Sequence, residues 1–258
     1  MKKIKVMSFN LRYDNSGDGI NSFTNRFDRV LEVINTESPD VIGFQEVLSS
    51  MRDKLRVALP DYCMVSCGRG KNLDGESMLI GFKADRVEMI SCESFWLSLT
   101  PSVPGSRYGG DQSGCPRMFT SLLLKHRDIE KPFRFINTHL DHEGENARYL
   151  GAVQLVQAIS QYNEKFVLTG DFNALPDTKE IKLITSALAY RGAIDCTEGF
   201  EPTFHEFGKR TGDERLKIDY IFTDGKCEDA YLVEDIPVNG QYYSDHNAIC
   251  AYIELKKI

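Results

Sequence analysis

Residues 133–173 read FRFINTHLDHEGENARYLGAVQLVQAISQYNEKFVLTGDFN, and this stretch decides the fold. Residues 133–140 are apolar enough for a buried strand, and residues 166–170 for a second. Between them, Ala152, Leu155, Val156 and Ile159 recur at the spacing of one helix face. Glu143 and Glu145 are expected in the first turn of that helix, where its dipole favours negative charge. The unit is strand–helix–strand. His139 stands at the end of one strand, and Asp171 and Asn173 at the end of the other.

A similar unit opens the chain. Residues 4–10 read as a buried strand, and Phe27, Val30, Leu31 and Ile34 form a helical stripe that Ser38-Pro39 stops. Residues 41–47 make a second apolar strand. Ser49 and Ser50 are expected to cap a helix carrying Met51, Leu55, Ala58 and Leu59. Asn10 and Glu46 end these strands as His139 and Asp171 end the later pair. Ligands of α/β sheets collect where strands end and loops leave the scaffold, so the two units point to one shared polar site. Further strands at 119–125, 217–222 and 248–255 give the density of two packed sheets with helices outside. Residues 94–116 hold three prolines and four glycines, a long irregular loop expected to select substrate.

Composition bounds the rest. Of 258 residues, 41% are hydrophobic and 27% charged, an ordinary globular balance. No linker or low-complexity block divides the chain, which predicts a single domain over residues 1–258. Thirty-one Lys and Arg against 38 Asp and Glu give a net charge of −7. A protein this acidic is repelled by long duplex nucleic acid. The basic cluster Lys209, Arg210, Arg215 and Lys217 is diluted by Asp213 and Glu214 and reads as a solvated loop. No run approaches the ~18 apolar residues of a membrane span, and the N-terminus turns polar too early for a signal peptide. Seven cysteines without a C-x-x-C pair read as reduced thiols, so a cytoplasmic protein is expected, with no protein partner evident.

The polar candidates are carboxylates (Glu46, Glu76, Asp171, Asp219, Asp245), amides (Asn10, Asn173) and imidazoles (His139, His246). Hard oxygen ligands suit Mg²⁺ or Mn²⁺, and Mg²⁺ takes one or two carboxylates plus water and substrate phosphate. Amide and imidazole groups donate to phosphoryl oxygens, and an Asp orients or deprotonates water. Phosphate-loop, dinucleotide-fold and serine-hydrolase motifs are absent. Metal-assisted attack of water on a phosphate ester is the chemistry these groups serve best.

Six elements in series carry a resemblance: Met7-Ser8-Phe9-Asn10, Gly43-Phe44-Gln45-Glu46, Asn137-Thr138-His139-Leu140, Gly170-Asp171-Phe172-Asn173, Ile218-Asp219-Tyr220-Ile221 and Ser244-Asp245-His246. Across essentially its whole length the chain resembles the endonuclease/exonuclease/phosphatase superfamily of metal-dependent, DNase I-like phosphohydrolases. Residues 95–98, 103–106 and 141–144 further resemble a bacterial branch with affinity to deadenylase-like members. The resemblance implies a four-layer α/β/β/α sandwich.

It also implies roles. Glu46 resembles the metal-binding glutamate, with Asn10 helping to hold the metal or its water and Asp245 near it. Asp171 resembles the residue that aligns or deprotonates the attacking water, with Asn173 as its partner on the phosphate. His246 matches the histidine beside the scissile phosphate and Asp219 its orienting carboxylate. His139 matches a second phosphate-facing histidine, which Glu76 is expected to orient. Arg117 resembles a phosphate-binding arginine, and His142 and Arg148 are expected substrate contacts. The expected function is that of a Mg²⁺- or Mn²⁺-dependent phosphodiesterase or nuclease acting on a short nucleic acid or a nucleotide. A phosphomonoesterase or lipid-headgroup phosphodiesterase is the alternative in the same chemistry, and a non-catalytic binding module the alternative outside it.

Overall fold

The computed structural model describes residues 2–255. In chain order its regular elements are β1 (Ile4–Asn10), α1 (Phe23–Glu37), β2 (Val41–Val47), α2 (Ser49–Ala58), β3 (Tyr62–Val65), β4 (Ser77–Lys83), β5 (Val87–Trp96) and β6 (Met118–His126). There follow β7 (Phe133–His139), α3 (Glu145–Gln161), β8 (Lys165–Asp171), α4 (Lys179–Ala187), β9 (Ile194–Asp195), β10 (Asp219–Thr223), β11 (Lys226–Val233) and β12 (Ala248–Glu254). They build two six-stranded sheets, ordered β11-β12-β1-β2-β4-β3 and β5-β6-β7-β8-β10-β9. Each sheet has one parallel pair at its centre, β1–β2 in the first and β7–β8 in the second. Antiparallel strands flank both pairs. The two orders superimpose strand for strand, so the sheets have the same plan.

Side-chain alternation sorts the residues into layers. Ile4, Val6, Val41, Phe133, Phe135, Val167 and Ile221 meet between the sheets. Met7, Phe9, Ile42 and Phe44 turn outward beneath α1 and α2, with Val30, Ile34, Met51 and Leu55. Ile136, Phe166, Leu168 and Phe222 do the same beneath the helices of the second sheet, against Leu155, Ile159 and Ile184. The result is the expected four-layer α/β/β/α sandwich.

Along the inner faces, apolar residues give way to polar ones toward one end. Val6 is followed by Ser8 and Asn10, Phe135 by Asn137 and His139, and Val167 by Thr169 and Asp171. Midway, Gln45 Nε2 donates to Asn137 Oδ1 at 2.7 Å, and Asn137 Nδ2 donates to the Phe44 carbonyl at 2.7 Å. This buried polar tie joins the sheets and fixes their relative position. Gly43 permits it, because a Cβ there would stand 2.2 Å from Thr169 Oγ1. Gly170 is required in the same way, since its Cβ would meet the Thr138 carbonyl oxygen at 2.4 Å on the parallel neighbour.

Three local expectations are corrected. Leu48 occupies the N-cap of α2, no side chain caps it, and Ser49 is already helical. Glu143 precedes the Gly144 N-cap of α3, leaving Glu145 alone in the first turn. Arg215 is half-buried and Lys217 buried, with Lys217 Nζ 3.8 Å from the Tyr220 ring centre, so that part of the basic cluster is not a solvated loop. All seven cysteines are free, and among the described residues no helix is long and apolar enough to cross a membrane.

Candidate active site

At the polar end of the inter-sheet layer lies a cleft of about 510 Å³. Glu46, Glu76, Arg117, His139, His142, Asp171, Asn173, Asp245 and His246 line it, all positions singled out by the sequence. The shared plan of the sheets explains the convergence. Asn10 and His139 end the first strand of each parallel pair, and Glu46 and Asp171 lie at the end of the second. Glu76 and Asp219 stand at the start of the antiparallel neighbours β4 and β10, and Arg117 and His246 just ahead of β6 and β12. Thus eight strands deliver eight polar groups to one place.

Glu46 needs a distortion to reach it. Gln45 points between the sheets, so strict alternation would aim Glu46 at the helices. Instead the β2–β4 register slips between Phe44 and Val47, and Glu46 adopts a left-handed φ of 63°. That conformation is costly for a side-chain-bearing residue. Two hydrogen bonds hold the redirected carboxylate, from Tyr13 N at 3.1 Å and Asn10 Nδ2 at 3.1 Å.

Asp171 is the hub. Its Oδ2 accepts from Asn10 Nδ2 at 3.0 Å, and its Oδ1 from the Asn173 backbone at 2.9 Å. His139 Nε2 lies 3.5 Å and His246 Nε2 3.8 Å from the same Oδ2. Asn173, at φ 47°, turns back to donate its amide to His139 Nε2 at 3.0 Å and to the Leu140 carbonyl at 3.1 Å. Because His139 Nε2 accepts, Nδ1 carries the proton, and Nδ1 is buried without a partner. Burial, reinforced by Arg117 and Arg69, holds the His139 pKa well below its usual range, so the ring is neutral.

Charge repulsion marks the rest of the cleft. Burial, with Asp219 next, pushes the Asp171 carboxyl up to about 7. Burial raises Asp245 to about 6, with Glu46 adding to the shift. Burial opposes charging of His246, but Asp219, joined by Asp245 and Asp171, lifts that ring to about 10. Glu46, His139 and Asp171 bring ligand atoms within 4.8 Å of one another, as do Asp171, Asp219 and His246. Carboxylates that repel one another at this spacing, with imidazole nitrogens beside them, fit a hard divalent cation.

The sequence expectations divide here. Glu76 does not orient His139; its Oε1 accepts from Arg69 Nη2 at 2.6 Å. Arg148 does not line the cleft; it donates to the Asp141 carbonyl at 3.1 Å and lies 3.8 Å from Glu180. Asn10 and Asp219 stand directly behind the lining, bonded to Asp171 and His246. Arg117 is buried, 3.4 Å from Asp141 Oδ2, and donates to His142 Nδ1 at 2.7 Å. Sequence reasoning missed Arg12, Tyr13, Arg69 and Phe204, which also line the cleft. Arg69 left one readable sign, the glycine on either side of it. A Cβ at Gly68 or Gly70 would strike Asp74, so the chain turns tightly there and carries Arg69 inward.

Comparison with known proteins agrees with this architecture. An endonuclease/exonuclease/phosphatase from Bacteroides vulgatus superimposes with a TM-score of 0.92 at 30% identity, covering 99% of this chain and 100% of that one. A mannosyl-6-phosphatase from Bacteroides thetaiotaomicron gives a TM-score of 0.86 at 25% identity, covering 97% and 99%. The catalytic domain of human Nocturnin shares the fold at 16% identity and a TM-score of 0.72, covering 98% and 95%. The model of the Endonuclease/Exonuclease/phosphatase family matches residues 7–246. With that match and this fold, the chain belongs to the endonuclease/exonuclease/phosphatase family of metal-dependent phosphoester hydrolases.

Proposed function

We propose that this enzyme hydrolyses phosphate monoesters of small polar alcohols, with sugar phosphates as the leading class. The observation that carries the reading is a pair of buried guanidinium groups. Arg69 and Arg117 both line the cleft, and each keeps one terminal nitrogen, Nη1, buried without a partner. Burial and then repulsion from Arg69 lower the Arg117 pKa. Each guanidinium is paired on one side with a carboxylate, Arg69 with Glu76 and Arg117 with Asp141, and the donors left over match a dianionic phosphoryl group better than a singly charged diester. The whole-length similarity to a mannosyl-6-phosphatase supports the same class. The net charge of −7 disfavours a long polyanion.

In this reading Glu46 and Asp171 would hold a divalent cation, with Asn10 fixing both carboxylates. When bound there, such a cation would supply charge that polarises the phosphoryl group. Asp171 orients the attacking water, and Asn173 holds Asp171 and His139 in register. His246, charged through its contact with Asp219, donates its Nε2 proton to a phosphoryl oxygen. His139 offers its unpartnered Nδ1–H, and Arg69 and Arg117 bind the remaining oxygens.

The test is phosphorus NMR with Mg²⁺ on a mixture of hexose 6-phosphates, a dinucleotide, a short single-stranded oligonucleotide and a lipid-headgroup diester. Inorganic phosphate released from a sugar phosphate, abolished by chelator, is the expected result. Conversion of a diester with the monoesters intact would overturn the reading.

A further inference from the structure

A second cavity, of about 280 Å³, lies directly behind the catalytic wall. Phe204 and His246 form an antiparallel bridge, and the Phe204 ring lies 4.7 Å from the His246 ring in the cleft. Their neighbours face the other way: His205 and Asn247 line the rear cavity.

Two residues of its lining, His205 and Arg215, carry buried hydrogen-bond donors with no partner among the described residues. His205 Nδ1 accepts from Gly208 N at 3.2 Å, so the ring proton resides on Nε2. His205 is 5% exposed, and its Nε2 has no partner. Arg215 anchors one end of its guanidinium on the Pro202 carbonyl at 3.0 Å, yet its Nε–H is buried and unpaired. Asn247 commits its side-chain oxygen to Asp235 N at 2.8 Å, leaving its amide NH₂ as the other polar end. Buried donors without acceptors are costly, and two beside one cavity point to an acceptor-rich occupant.

Charge selects its class. Asp235 lines the cavity but is not a free anion: Oδ1 accepts from Arg29 at 3.2 Å, and Oδ2 from Tyr243 N at 2.6 Å and Ser244 N at 3.2 Å. The Arg210 guanidinium is matched by Glu206, at 3.1 Å. Glu234 also lines the cavity, but it stands exposed, its carboxylate open to solvent. Among the described residues no carboxylate lies within bonding reach of Arg215, and its charge is left unbalanced.

We propose that the rear cavity is a binding site for a small oxyanion of the phosphate or sulfate type, held by His205 Nε2–H, Arg215 Nε–H and the Asn247 amide. The site is coupled to the cleft through short hydrogen-bonded paths. His205 N and Glu206 N donate to the Asp245 carbonyl at 3.0 and 3.1 Å, and Thr203 Oγ1 donates to Asp219 Oδ2 at 2.5 Å. An anion drawing residues 203–206 and Asn247 together tightens the frame that holds Asp219 and His246. This inference does not depend on which ester the cleft hydrolyses.

The test is a titration of the metal-free protein with inorganic phosphate, followed by imidazole and backbone amide NMR. Saturable shifts at His205, Gly208 and Asn247, with a dissociation constant distinct from that read at His139 and Asn173, are expected. His205→Phe and Arg215→Met should each weaken the rear response by roughly tenfold or more, while the His139 response stays as in the wild type. Glucose should leave the rear signals unmoved. Shifts confined to the cleft, or rear shifts produced equally by glucose, would overturn the proposal.

Discussion

His246 Nδ1 donates to Asp219 Oδ2 across 2.8 Å, and that oxygen also accepts from Thr203 Oγ1 at 2.5 Å. The pair comes from opposite sheets: Asp219 opens β10 in the second and His246 precedes β12 in the first. A charged imidazole so held presents Nε2–H to the cleft in one orientation. Asp219→Asn removes the countercharge and lets the ring adopt the wrong tautomer. Turnover should fall by roughly 10²-fold or more with circular dichroism unchanged. The His246→Ala protein should lose a comparable factor, and the double variant little beyond either single one. Full additivity of the two losses would show that the residues do not act as a unit.

Asp171 leads to a stability test. Its folded-state pKa, about 7, lies above the ordinary 3.8, so folding favours the protonated carboxyl. Stability from this group is present below pH ~4 and is lost as pH rises through about 7. Asn imitates the neutral acid. In chelator, Asp171→Asn should therefore melt above the wild type at pH 8 and match it near pH 4. Its turnover at neutral pH should fall by at least ~10²-fold. A wild-type advantage at pH 8 without metal would contradict the sign.

For metal affinity, Glu46 is the sensitive position. Glu46→Gln keeps the shape and the acceptor for Tyr13 N but removes a charge from the crowded carboxylate group. Calorimetry with Mn²⁺ should register affinity weakened by about 10- to 100-fold. Melting temperature in chelator should hold or rise, because Glu46 contributes to the raised pKa of both Asp171 and Asp245.

Gly43 separates folding from chemistry. Gly43→Ala puts a Cβ against Thr169 Oγ1 and Asn137, where neither sheet has room to yield. Denaturant unfolding should show a loss of about 1–3 kcal/mol, while turnover below the melting transition should change much less than in any cleft variant.

Much of this design was legible in sequence because central strands write both faces into a period of two. The runs Ile4–Asn10 and Phe133–His139 carry the apolar core, the polar tie and the site residue in that order. The less regular elements were not legible. Strand β5, half-exposed through much of its length, lacks a continuous apolar run, and β9 has only two residues. Partnering was harder still. Glu76 and His139 are both in the cleft, but only the turn at Gly68 and Gly70 reveals that Arg69 arrives to take the carboxylate. Two donors of the rear cavity, His205 and Arg215, lie in a segment of mixed charge, which in one dimension looks like solvated surface.

The two sheets share a plan but not a chain order. Strands β5 to β10, residues 87–223, form the second sheet without interruption, whereas the first is begun by β1 to β4 and finished by β11 and β12. Ile4 of β1 pairs with Ile253 of β12, nearly the whole chain apart. During synthesis every strand of the second sheet has left the ribosome while β1 still lacks one neighbour. The half-site of His139 and Asp171 can thus be ordered before the half-site of Asn10 and Glu46 is closed. A circular permutant opened at Val87 and joined across the neighbouring ends of β1 and β12 would make each sheet contiguous, lowering the sequence distance that the slow final pairing must span.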